Sequence, residues 1–262
     1  MKLTIANIST QITPEQLHAA VAAINRQVKE HFEPEWGKGA TLTATAVKLT
    51  GKKAPIQSDT DAVIYIGDSV QDSTAGVQGA LGYHSDNHKK IPYGFIYLDV
   101  CSKYKEEWTC TLSHEVLELL GDPDAALTVT GPAPKTKAKA AAVKAKAVAA
   151  KVAPLKSGMV YYDLEVCDPT QGDTYKIDGI VVSNFVGRSY FKLSGGTGKT
   201  NHMGLPLTAF GVRPGGYVQY EDGNTTHQIN GKKVTETHLA AKKLMIHGRR
   251  NERRRLRLAA KK

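Results

Sequence analysis

Residues 111–118 read Thr-Leu-Ser-His-Glu-Val-Leu-Glu, an HExxE run. On a helix His114 and Glu118 stand at i and i+4, so both side chains leave one face a turn apart. An imidazole and a carboxylate so placed can hold a divalent metal. Glu115, beside the histidine, is positioned to take a proton from a water that the metal activates. The familiar zinc-protease motif has a second histidine where this chain has Glu118, and a carboxylate is an acceptable zinc ligand.

A zinc site with an open position requires a third protein ligand. Glu165 and Asp168, in Leu164-Glu165-Val166-Cys167-Asp168-Pro169, are the leading candidates because they end a strand, where side chains converge on sites. Their ordinary alternatives are a surface residue for Glu165 and a turn cap before Pro169 for Asp168. His84 and His88 are the other imidazoles near the motif. His84, after Gly82 and Tyr83, is the better choice, as ligand or as a group contacting substrate.

Two further runs carry less. Gly195-Gly196-Thr197-Gly198-Lys199-Thr200 invites a phosphate-loop reading, but the pattern needs glycine at 193 and Leu193 is there, so a flexible loop is expected. Cys110, four residues before His114, reads as a buried structural thiol.

The elements that must position the motif follow from periodicity. Thr13-Pro14-Glu15-Gln16 is a capping box opening an amphipathic helix over 14–32, which should end near Pro34. Residues 41–49, 62–66 and 94–100 read as strands, and the Gly/Ser/Asp/Asn/His-rich stretch 69–93 as a long loop. The HExxE helix should span about 109–120, with Leu112, Val116 and Leu119 facing one way and His114 and Glu118 another, and Gly121 and Pro123 ending it. Strands are expected at 159–166, 189–193 and 217–220, with a hairpin over 175–185 turning at Asp178-Gly179. From about Glu236 the composition returns to helical.

This divides the chain into an N-terminal half (1–130), an Ala/Lys-rich flexible linker or insertion (131–157), a β-rich part completing the same domain (158–236) and a helical basic tail (237–262).

The formal charge of +10 belongs to the extensions. Residues 131–157 carry seven lysines and no acid, and 248–262 carry six arginines, two lysines and one glutamate, so +10 less +7 and +7 leaves −4 for the body. The extensions are therefore the expected place for non-specific contact with nucleic acid or an acidic partner; no aromatics interleave the arginines to stack bases. Three cysteines without CxxC spacing argue against a disulfide framework and for a reducing compartment. No membrane-spanning run or signal peptide is expected, which places the chain in the cytoplasm, or in a virion if it is phage-encoded.

Several motifs occur together in order: Glu33-Pro34-Glu35-Trp36-Gly37, Ala80-Leu81-Gly82-Tyr83-His84, Thr111 to Pro123, Glu165 to Pro169, Val182-Ser183-Asn184-Phe185 and Pro214-Gly215-Gly216-Tyr217. That succession resembles a poorly characterised family of bacterial and phage proteins regarded as zincin-like metallopeptidases, over roughly residues 14–220 apart from the linker. The resemblance implies an α+β fold of zincin type: a twisted mixed sheet with a backing helix and an active-site helix, followed by a β-rich C-terminal part. It implies His114 and Glu118 as ligands of Zn2+, Glu115 as general base, and Glu165, Asp168 and His84 in shared motifs. The Ala/Lys insertion and the basic tail depart from the family pattern. The expected function is a zinc-dependent hydrolase acting on a peptide or protein substrate. Its rivals are a non-catalytic zincin-like protein tethered through its basic extensions, and a metal-dependent enzyme acting on an amide or ester.

Overall fold

The capping box forms as its residues dictate: Thr13 Oγ1 accepts from Gln16 N, and Gln16 Oε1 accepts from Thr13 N. Helix α1 (Pro14–Arg26) then buries Leu17, Ala20, Val21, Ala23 and Ile24. In this computed structural model, which describes residues 1–48, 59–72, 80–87, 89–134, 157–222 and 226–232, the helix does not stop before Pro34. A π-helical stretch, Gln27–Phe32, continues it, with the Glu33 N–H reaching back to Val28 O. The shift in register starts a short helix α2 (Glu33–Trp36) whose second residue is the proline, where a missing N–H costs nothing. Gly37, at φ 65°, ends it in the left-handed conformation that glycine adopts freely.

This helical arm backs a five-stranded sheet of β1 (Lys2–Asn7), β2 (Thr41–Ala46), β3 (Ala62–Gly67), β4 (Gly82–Asp86) and β5 (Pro92–Tyr97), in the order β2-β1-β3-β5-β4. Asn25 of α1 exchanges hydrogen bonds of 2.9 and 2.8 Å with the Leu42 backbone of β2. All neighbours pair in parallel except β4, which runs antiparallel to β5 with His84 opposite Gly94. Central β3 is buried at every position, as a parallel strand covered on both faces must be.

Two expectations change here. The supposed loop over 69–93 contains β4, whose Gly-Tyr-His-Ser-Asp composition hides a strand that is nonetheless largely buried. The strand expected over 94–100 ends at Tyr97, and Leu98 onward forms α3 (Leu98–Tyr104).

After α4 (Trp108–Gly121) comes a four-stranded antiparallel sheet of β6 (Thr128–Pro132), β7 (Met159–Asp163), β10 (Tyr217–Glu221) and β11 (Thr226–Asn230), ordered β11-β10-β7-β6. Strand β6 extends into the stretch expected as linker; residues 135–156 lie outside the described residues, as do the tail from 233 and His88. The hairpin β8 (Thr174–Ile177) and β9 (Ile180–Ser183) turns where expected, with Asp178 and Gly179 at φ 50° and 83°, the primed turn that matches strand twist.

Residues 189–193 are not a strand. Arg188–Phe191 is a 3₁₀ turn, because Tyr190 and Phe191 are both fully buried and stack edge to face at 4.8 Å.

The class is α+β, and one apolar core runs from Leu3 and Ile64 through Leu112 and Val116 to Phe185 and Tyr220. Among the described residues no helix is long and apolar enough to cross a membrane.

Candidate metal centre

Helix α4 carries the HExxE run, and its surroundings differ from a simple amphipathic face: every residue from Thr109 to Gly121 is buried. A helix apolar on most sides must be enclosed on all of them. Its polar side chains are therefore all occupied with partners. Thr109 Oγ1 donates to Val181 O at 2.8 Å; Ser113 Oγ donates to Gln27 Oε1 at 2.7 Å and accepts from Ser183 N at 3.0 Å. These contacts lash α4 between the first helical arm and β9, which holds His114 and Glu118 toward the remaining side.

There the chain leaving β7 folds over the helix. The strand expected through 166 ends at Asp163; beyond it Leu164 N still donates to Leu127 O at 3.2 Å, and then Glu118 Oε1 accepts from Cys167 N at 3.2 Å and Asp168 N at 3.3 Å. The same oxygen lies 3.1 Å from His114 Nε2, and Asp168 Oδ1 lies 3.3 Å from that nitrogen. His114, Glu118 and Asp168 are 4, 4 and 3 % exposed. The ligand atoms of His114, Glu118 and Cys167 lie within 4.8 Å of one another, as do those of His84, Glu118 and Glu165.

All the residues expected at the site are thus brought to it, though grouped differently. Glu165 groups with His84 and Glu118, while Asp168 and Cys167 lie on the His114 side. His84, far from being an exposed loop residue, has its Nε2 3.1 Å from Asp122 O and its Nδ1 3.4 Å from Glu115 Oε2. Glu115 packs against Gly82 of β4, where a Cβ would come within 3.0 Å of its side chain. A small cavity of about 20 Å³ lies above Glu115 and His114, bordered by Leu81, Thr111 and Gln171. That is room for about one water.

Three participants were not singled out beforehand. The Asp122 carboxylate accepts from Ala126 N and Leu127 N, fixing the chain after α4 while its carbonyl faces His84. Cys167 is fully enclosed, and burial with Glu118 nearby pushes its thiol pKa well up. Tyr217, at the start of β10, lies beside Asp168; burial and then the Asp168 and Glu118 charges raise its phenol well above the usual range. Cys167 sits inside a motif already noted, but nothing local marks Tyr217, which reaches the site through sheet pairing.

The glycine-rich loop also finds a role. Glu35, buried in the helical arm, accepts from Arg188 N at 2.7 Å and Thr197 N at 2.6 Å. A Cβ at Gly196, itself at φ 75°, would come within 2.3 Å of Glu35 Oε1, so the loop needs glycine to wrap a carboxylate of its own chain. Cys110 is buried, as expected, and forms no disulfide.

A second histidine pair lies beside this region. His31 and His202 stack at 4.2 Å, His202 stacks on Phe185 at 5.2 Å, and they border a cavity of about 150 Å³. Gln27 Nε2 donates to Tyr175 Oη at 3.1 Å, and Tyr175 Oη lies 2.9 Å from His31 Nδ1. Burial lowers the pKa of His31, and burial with the adjacent His31 ring takes His202 down to about 4.

Comparison with protein-family models, with curated proteins and with solved structures finds no match.

Proposed function

We propose that the protein is a zinc-dependent hydrolase of zincin-like architecture, acting on a peptide bond, with His114, Glu118 and Asp168 as the residues that hold the metal. The observation that carries this reading is the placing of His114 Nε2 at 3.1 Å from Glu118 Oε1 and 3.3 Å from Asp168 Oδ1, with Glu115 alongside. The donor set of imidazole and carboxylates, with a thiol close by, is the chemistry zinc takes. When bound, zinc would supply Lewis acidity that polarises a carbonyl and brings the pKa of a water to about 7.

The chain's own residues divide the remaining work. The backbone N–H groups of Cys167 and Asp168 fix Glu118, and the Tyr217 phenol lies beside Asp168. Glu115 borders the one-water cavity, so it accepts the proton of the attacking water and passes it to the leaving amine. Strand β4 is the edge of its sheet in the described residues and lies along α4, which suits pairing with an extended substrate. Three buried cysteines that form no disulfide fit a reducing compartment, the cytoplasm or the interior of a phage particle.

Glu115→Gln tests the reaction: hydrolysis of a peptide library should vanish while zinc stays bound. Unchanged hydrolysis would remove Glu115 from the mechanism.

The small size of the cavity, room for about one water, favours one other reading, a non-catalytic protein in which the metal braces the fold and the basic extensions attach to nucleic acid or an acidic partner. DNA binding that falls steeply with salt and is lost on removing residues 248–262, in a protein without hydrolytic activity, would favour it. Salt-insensitive binding, or none, would count against it.

A further inference from the structure

The candidate metal centre lies against β4, at one edge of the five-stranded sheet. A cavity of about 730 Å³ opens at the other end of the strand order, against β1, β2 and β3, and shares no residue with that centre. Strand β1 connects through α1 to β2 on one side, whereas β3, on the other side of β1, leads on to β4 and β5. The three strands are parallel and end together, with Asn7 opposite both Ala46 and Ile66. Where connections leave neighbouring parallel strands in opposite directions, a crevice opens beyond their carboxyl ends, and open sheets bind ligands there. The cavity occupies that place: Ser9 and Thr10 line it after β1, Val47 and Lys48 after β2, Asp68 and Asp72 after β3. Its volume lies in the range of small-molecule sites, roughly 300–1,000 Å³.

The walls are fixed by hydrogen bonds. Asn7 Oδ1 accepts from Ser9 N at 3.0 Å and Asn7 Nδ2 donates to Ile12 O at 3.2 Å, which sets the turn between β1 and α1. Ser9 Oγ and Gln11 Nε2 both donate to Asp68 Oδ1 and so tie that turn to the end of β3. Asp72 Oδ2 accepts from Ser69 N at 2.9 Å, and its side chain packs over Gly67, where a Cβ would come within 3.0 Å of it. Each carboxylate thus keeps one oxygen that accepts nothing from the described residues.

These groups select the ligand. The turn Asn7–Thr13 has no glycine to let a pyrophosphate approach, and Thr13 already takes the Gln16 N–H of the first helical turn. Two carboxylates in the wall would also repel phosphate. They suit an ammonium group instead, while Lys48 and the ring N–H of His18 can donate to a carboxylate. Strand β1 stands between the two sets, so the ends of β2 and β3 lie roughly 10 Å apart, two strand spacings. An extended dipeptide, roughly 7 Å long, is of that scale. Ile12 and Leu17, both buried, give its side chains an apolar wall.

We propose that this cavity binds a short peptide with free termini, its ammonium on Asp68 and Asp72 and its carboxylate on Lys48. The site stands or falls apart from the metal centre.

Titration calorimetry of the full-length protein with the dipeptide Leu-Leu should show saturable binding. N-acetyl-Leu-Leu and Leu-Leu-amide should each bind at least about 10-fold more weakly, because each loses a charged hydrogen bond. Asp68→Asn and Lys48→Met should weaken binding of Leu-Leu by a similar factor, and Lys48→Met should leave the weak binding of Leu-Leu-amide unchanged. Asp68 also ties two loops together, so Ala46→Trp, at an exposed position on the cavity wall, is a second kind of variant; filling the cavity should abolish binding. No binding, or binding that neither blocked termini nor these substitutions weaken, would overturn the proposal. Binding of ADP in place of the dipeptide would overturn it too, by assigning the cavity to phosphate.

Discussion

The chain sets two pairs of histidines side by side in opposite surroundings. His84 and His114 face Glu115, Glu118 and Asp168 across 3.1–3.4 Å. His31 and His202 face rings instead: each other, Phe185 and Tyr175. In the aromatic pair burial favours the neutral ring, and Tyr175, which accepts from Gln27, lies 2.9 Å from His31 Nδ1. In the carboxylate pair the imidazoles sit among groups that attract cations. Histidine count therefore says little about a site; what the ring nitrogens face decides between packing and metal chemistry.

If the contrast is real, substitutions on the two sides should part company. The largest effect belongs to Glu115→Gln, which should cut hydrolysis by about 10²–10⁴-fold with zinc content unchanged, as loss of a general base does; parallel loss of metal would make Glu115 a ligand. Next comes Glu35→Ala, which strands the Arg188 and Thr197 N–H groups. It should cost about 3 kcal/mol in urea unfolding, from charge-assisted bonds worth roughly 1.5–3 kcal/mol each, without weakening zinc affinity in the folded protein. A wild-type urea midpoint would show that the glycine loop does not need its carboxylate.

Tyr217→Phe removes the hydroxyl beside Asp168 and should weaken zinc binding by about 10-fold, the lower range for a group that orients a ligand. Unaltered affinity would place Asp168 outside the coordination set.

The smallest effect concerns pH. His202 has its pKa lowered to about 4 by burial, against about 6.5 in the unfolded chain. Below pH 6.5 the unfolded state binds the proton first, so this histidine's stability contribution is intact above 6.5 and is lost as pH falls toward 4. Because the ring is only partly buried, solvent screening reduces the loss to roughly 1 kcal/mol. His202→Phe should flatten that part of the stability profile relative to the unmodified protein; identical slopes would mean the stack does not hold His202 neutral.

How much of this could be read in advance depends on the range of the interactions. The Thr13–Gln16 capping box, the Asp178-Gly179 hairpin and the His114/Glu118 spacing are local, and each appears where its residues put it. Strand β4 was missed because it is defined by pairing with β5 and by packing on Glu115, so its composition follows the site and not strand propensity. The path of the chain after β7 is likewise set from afar, since Glu118, about fifty positions away, takes the N–H groups of Cys167 and Asp168. Pro34 failed as a stop signal because a π-helical register shift precedes it. The division of donors between His114 and His84, and the contribution of Tyr217, depend on tertiary packing that no spacing in the chain encodes.

The most direct measurement is zinc affinity by titration calorimetry on the metal-stripped protein, His114→Ala and His202→Phe, with folding of each checked by circular dichroism. The unmodified protein and His202→Phe should bind zinc alike, and His114→Ala should lose affinity by more than the 10–100-fold that a merely supporting residue costs. Absence of zinc binding in the unmodified protein, or equal binding by all three, would contradict a metal centre at the HExxE helix.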